Sequence, residues 1–173
     1  MLKLRRTASF AILASDLQTA APLALSHHQE VQMEDELREC DFGLWEGLNR
    51  ADLLARAPHE AQYFSAWERD LTMAPPGGEG YTAMSERVRR RVGSLLQVHH
   101  GQTIVLVSHV GPVKALLCMA LGAPLTAMFH FFIDPATINV VDWREAYAIV
   151  RLVNSHAHPG WNQARWLTDT GHW

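Results

Sequence analysis

The run TIVLVS, residues 103–108, holds no charge and is mostly β-branched, and it leads through His109, Val110, Gly111 and Pro112 into a second apolar run, VKALLCMAL. An uncharged strand of this kind must be covered on both faces. Gly-Pro at the junction suits the first turn of a helix, so this stretch reads as a buried strand feeding directly into a helix. That unit belongs to α/β folds with a parallel sheet.

The rest of the chain repeats the theme. SFAILASDL (9–17) reads as another buried strand, and TAAPLALSHH as a short helix interrupted by Pro22. EVQMEDELREC is polar and reads as irregular or weakly helical, and DFGLWEG as a loop punctuated by Gly43 and Gly47. From Asn49 to Leu71 the apolar residues keep a helical period with a break near Pro58. APPGGEG (74–80) is a loop. Beyond it, Met84, Val88, Val92, Leu95 and Leu96 form the apolar stripe of a helix that opens at Tyr81 or Thr82 and stops before Gly101. TINVVDW and YAIVRLV, separated by Arg144, Glu145 and Ala146, read as a terminal hairpin. The expectation is a single domain over residues 1–173, with an irregular tail over 155–173.

Composition narrows the function classes. Fifteen Lys+Arg against eighteen Asp+Glu give a net charge of −3, which argues against nucleic-acid binding by the whole surface. The cluster Arg87, Arg89, Arg90 and Arg91 reads as a solvated helix face. Cys40 and Cys118 stand far apart without CxxC spacing, so neither a disulfide framework nor a zinc site is indicated, and a cytoplasmic location fits. The apolar run after Lys3, Arg5 and Arg6 is short and ends at Asp16, which favours a strand over a signal peptide. No run approaches the ~20 apolar residues that span a membrane. His27 with His28, and His156 with His158, lack the further ligands a metal needs and read as solvated. Neither metal nor other cofactor is expected.

His109 stands where the strand TIVLVS ends and the next helix begins. Ligands of open α/β sheets gather at such carboxyl ends, and a helix start offers free N–H groups to an anion. An imidazole there, as a cation or a neutral donor, could share a phosphate's charge with them. A hydrolase elbow is excluded, because Leu106-Val107-Ser108-His109-Val110-Gly111 lacks the required first glycine and has the second one residue late. Neither GxxxxGK[ST] nor GxGxxG occurs.

Four segments, SDLQTAAPLA, LRECDFGLWEG, APPGGEGY and VLVSHVGPVKALL, occur in the order and approximate spacing of the histidine phosphatase superfamily, also called phosphoglycerate mutase-like. Over about Phe10 to Asn154 the chain resembles that family, most nearly its actinobacterial branch of α-ribazole phosphatase-like domains, some fused behind an RNase H domain. The resemblance implies a three-layer α/β/α sandwich and a phosphomonoesterase working through a phosphohistidine on a small phosphorylated metabolite. It further implies that His109 is the second, phosphate-binding histidine and Glu39 the acid that protonates the departing oxygen, with Glu36 and Glu46 as weaker alternatives. Val110 and Ser15 would complete the phosphate pocket. Tyr63, Phe64 and Trp67, with the APPGGEGY loop, would form a lid or wall. Cationic donors fixed around a transferring phosphoryl group, and an acid for a poor leaving group, are what such chemistry needs.

The chain also departs from the family pattern. None of its ten histidines stands in Arg-His-Gly, and only nine residues precede Phe10. Ser15-Asp16-Leu17-Gln18-Thr19-Ala20 reads as the family's Ser-x-Leu-x-Arg-Ala-x-x-Thr-Ala with four residues removed, nearly one helical turn. The phosphate-binding arginine goes with them, leaving Arg5, Arg6 or Arg38 as substitutes. The expectation is therefore an N-terminally truncated fold with impaired catalysis, the alternative being a noncatalytic module that binds a phosphate ligand or a partner. An absent first strand would leave two sheet edges open, to be closed by direct pairing of the neighbours or by a strand borrowed in a homodimer.

Overall fold

The computed structural model describes residues 10–157. Phe10–Ala14 (β1) lies at the centre of a three-stranded parallel sheet, between Val31–Met33 (β2) and Thr103–Val107 (β3). The register pairs Ala11 with Ile104, Ile12 with Val105, Leu13 with Leu106 and Ala14 with Val107. Because side chains alternate along a strand, this register sorts the apolar residues onto two faces. Ala11, Leu13, Ile104 and Leu106 join one core, whose helical side comes from Tyr81–Val98 (α4) and Val110–Leu121 (α5). Ile12, Ala14, Val105 and Val107 join the other, under Ala20 and Ala24 of Leu17–His27 (α1). Helices thus cover both faces, in the α/β layering that the strand composition predicts.

Local chemistry sets the helix boundaries. Asp16 caps α1 by accepting from the Gln18 amide at 2.9 Å, and the helix ends at His28 in the left-handed region. Pro22 lies inside α1 and does not interrupt it. The break at Pro58 divides the next segment into Arg50–Leu54 (α2) and Pro58–Trp67 (α3), with proline at the first position of the second helix. Met84, Val88, Val92 and Leu95 are the buried stripe of α4.

Ile138–Trp143 (β4) and Ala148–Ser155 (β5) form the expected hairpin as a separate two-stranded antiparallel sheet. It packs against α5. The outer edge of β3 carries no strand among the described residues, so the two sheets are not joined by hydrogen bonds.

Three readings need correction. Residues 31–33, expected to be irregular or weakly helical, form β2, because the open edge of β1 pairs with a segment too short to show its own periodicity. The loop DFGLWEG contains a 3₁₀ turn at Gly43–Trp45. The expected irregular tail begins one residue late, since Ser155 ends β5, and His156, expected to be solvated, is buried with its Nε2 2.9 Å from Asp134 Oδ2. The remainder of that tail, with His158, lies outside the described residues. Within them no group of three or more His, Cys, Asp or Glu could hold a metal, and no helix is long and apolar enough to cross a membrane.

Candidate active site

At the carboxyl ends of the parallel strands the chain brings together residues far apart in sequence. His109 is the N-cap of α5, with extended backbone and no side-chain capping bond. The helix start offers fewer donors than expected, because Pro112 has no N–H and the Gly111 amide donates to Glu39 Oε2 at 3.1 Å. Val110 is the first residue of the helix, where an amide has no intrahelical acceptor. Glu39 thus meets the start of α5 two residues beyond His109, and its Oε1 accepts from the Cys40 amide at 2.9 Å. Gly111 permits this approach: a Cβ there would strike Glu39 Oε1. Ser108 fastens the same corner by donating its hydroxyl to the Leu37 carbonyl at 2.5 Å.

The segment carrying Glu39 is held from behind by Arg87. Its guanidinium is buried and donates to the carbonyls of Glu36, Arg38 and Glu39 at 2.6, 3.2 and 3.5 Å. It also pairs with both oxygens of Glu79, at 3.0 and 2.6 Å. Arg87 is therefore no part of a solvated face, unlike Arg89 and Arg90, whose side chains are more than half exposed beside Glu86 and Glu36. The signal lay in its place next to Val88 on the buried stripe.

Other expected residues divide. Ser15 reaches the strand ends, but its amide donates to the Val107 carbonyl at 3.1 Å and its hydroxyl lies 3.5 Å from the same oxygen. Glu46 accepts from the Phe42 amide at 3.0 Å and Glu36 faces Arg90, so neither stands at the start of α5 as Glu39 does. Arg38 is exposed and bonds back to the Asp35 carbonyl at 3.4 Å, while Arg5 and Arg6 lie outside the described residues. Phe64 and Trp67 form an aromatic cluster with Trp45, and Tyr63 ties α3 to the APPGGEGY loop through a 2.9 Å bond to the Ala74 carbonyl.

Sequence reading missed two charged groups. Asp16 has its carboxyl held below the usual range, first by the Thr19 hydroxyl at 2.6 Å and with a smaller contribution from His109. A carboxylate therefore shares the mouth of the site with the imidazole. Lys114, one turn into α5, is half-buried; burial pushes its ammonium pKa down, and the nearby Glu39 charge opposes that shift. Burial also raises the Tyr81 hydroxyl, with Cys40 and Glu39 adding to it, and pushes the Cys40 thiol up to about 12.

Comparisons with known proteins bear on this arrangement. The model of the histidine phosphatase superfamily, branch 1, matches residues 4–156. The adenosylcobalamin/α-ribazole phosphatase of Escherichia coli K12 is 38% identical over 151 residues, covering 84% of this chain and 73% of that protein. A bifunctional protein of Mycobacterium tuberculosis H37Rv is 35% identical over 155 residues; the match takes in 87% of this chain but only 42% of that protein. The crystal structure of a putative α-ribazole-5′-P phosphatase from E. coli K-12 superposes with a TM-score of 0.72 at 35% identity, over 86% of this chain and 75% of that one.

Proposed function

The chain belongs to the histidine phosphatase superfamily, and from that membership we propose that it is a phosphomonoesterase domain for a small phosphorylated metabolite, with catalysis impaired. The observation that carries the reading is the meeting of Glu39 with the start of α5 beside His109, an acid and an anion-binding imidazole at the carboxyl end of a parallel sheet. In this reading His109 and the Val110 amide hold phosphoryl oxygens, Ser15 lines the pocket floor, and Glu39 protonates the departing alkoxide as a water oxygen takes its place on phosphorus. Impairment is supported by Asp16, whose charge opposes an incoming phosphate.

Hydrolysis of p-nitrophenyl phosphate tests this, with His109→Ala and Glu39→Gln as controls. Turnover lost in both variants supports it, and turnover unchanged in His109→Ala removes the site assignment. A second reading, a noncatalytic phosphate-ligand module, draws on the Glu39 carboxylate already occupying the Gly111 amide. It predicts calorimetric binding of phosphate esters that is lost in His109→Ala, without turnover or phosphohistidine. Two buried free thiols suit a reducing cytoplasm, and the β3 edge, which pairs with no strand among the described residues, suits a homodimer, which sedimentation would test.

A further inference from the structure

We propose that the phosphate site between the ends of β1 and β3 selects monoesters whose alcohol carries an ammonium group, such as 2-aminoethyl phosphate, and that Asp16 is the residue that recognises the ammonium. The inference rests on the phosphatase reading and names the substrate class of that same site.

The backbone brings Asp16 and His109 together. β1 and β3 are paired up to Ala14 and Val107, and the Ser15 amide adds one more bond by donating to the Val107 carbonyl at 3.1 Å. Each strand then feeds a helix: Asp16 is the N-cap of α1 and His109 the N-cap of α5, each two residues beyond the last paired position. The helices leave for opposite faces of the sheet, α1 over Ile12 and Ala14 and α5 over Ala11 and Leu13. Neighbouring connections that part in this way open a crevice at the carboxyl ends of the strands. Strands in a sheet lie ~4.8 Å apart, so Asp16 and His109 stand on the two lips of that crevice, near enough for their charges to act on each other.

The lips offer different chemistry. On the α1 side Asp16 fills the helix start itself, its Oδ1 accepting from the Gln18 amide at 2.9 Å and its Oδ2 from the Thr19 hydroxyl at 2.6 Å. On the α5 side His109 makes no capping bond and the Val110 amide has no intrahelical acceptor, so phosphoryl oxygens settle there. A phosphate so held has the Asp16 charge beside it. Glu39 brings a second carboxylate to the start of α5, but the Lys114 ammonium acts on that one. Asp16 pairs with no Lys or Arg among the described residues. A plain alkyl ester leaves its repulsion unrelieved, whereas an ammonium two carbons from the ester oxygen answers it. The carboxylate is partly exposed and keeps lone pairs beyond its two bonds to receive that group.

The test compares 2-aminoethyl phosphate with n-propyl phosphate, which puts a methyl group where the ammonium stands, by calorimetry on the full chain at pH 7.5. The aminoethyl ester is expected to bind roughly tenfold more tightly, as a hydrogen bond between charged groups allows. Asp16→Asn, which keeps an acceptor for the helix cap, is expected to bring the two esters level, and His109→Ala to weaken both. Equal affinities in the wild type, or a preference that survives Asp16→Asn, would overturn the inference. If the equal affinities still fall in His109→Ala, the phosphate site stands without this selectivity. Binding of neither ester would remove the phosphate site and the inference together.

Discussion

Gly111 is bare of a side chain where the Glu39 carboxylate lies, and its amide donates to Glu39 Oε2 at 3.1 Å. The two residues are far apart in sequence, so this one contact joins the loop after β2 to the helix after β3. Gly111→Ala would drive a methyl group into the carboxylate. Because the far end of a flexible side chain can swing away, the fold survives and the hydrogen bond does not. The expected cost is about 1–3 kcal/mol for a bond to a charged acceptor. Urea denaturation in a double-mutant cycle should show Gly111→Ala costing little further once Glu39 is alanine. Simple additivity of the two changes would contradict the contact.

Arg87→Met should be the most damaging single change in the Glu39 region. It removes five bonds to three backbone carbonyls and a partly buried carboxylate, leaving Glu79 uncompensated. Breaking a buried pair in this way costs about 3–5 kcal/mol. Chemical denaturation measures the loss, and adding Glu79→Gln to Arg87→Met should recover part of it.

Neither cysteine should react in the native protein at neutral pH. Cys40 donates its thiol to the Glu79 carbonyl at 3.0 Å, and its pKa is pushed up to about 12 mainly by burial. Cys118 is buried and shifted in the same direction for the same reason. The thiolate is the reactive form. Titration with Ellman's reagent should find no fast thiol before denaturation and both thiols after it.

The Asp16 cap should fail on acidification. Its folded pKa lies below the ordinary 3.8, so its contribution is fully present above that value and is lost as pH falls through the folded value. Asp16→Asn keeps an acceptor for the Gln18 amide and has no carboxyl to titrate. The thermal midpoint of the wild type should therefore drop more steeply below pH 3.8 than that of the variant.

The parallel core was legible because FAILA and TIVLV carry both faces of a buried sheet in their own composition, and α4 because its stripe from Met84 to Leu95 keeps period over about three turns. β2 escaped because three residues, two of them exposed, hold no pattern apart from the strand they pair with. At the site, His109 was visible from its place between strand and helix, whereas Lys114 and Asp16 became relevant only through tertiary neighbours. The Arg87 clamp was passed over because a charged residue in an arginine-rich helix resembles its exposed neighbours, although its place beside Val88 on the buried stripe sets it apart.

The division of the strands into two sheets has a dynamic consequence. The hairpin Ile138–Ser155 leans on α5, and among the described residues no ladder of the parallel sheet extends into it. Its amides should therefore exchange with deuterium as a cooperative block of their own, opening at a lower free energy than β1. Whatever loosens α5 would release that block first, while the three parallel strands keep their protection.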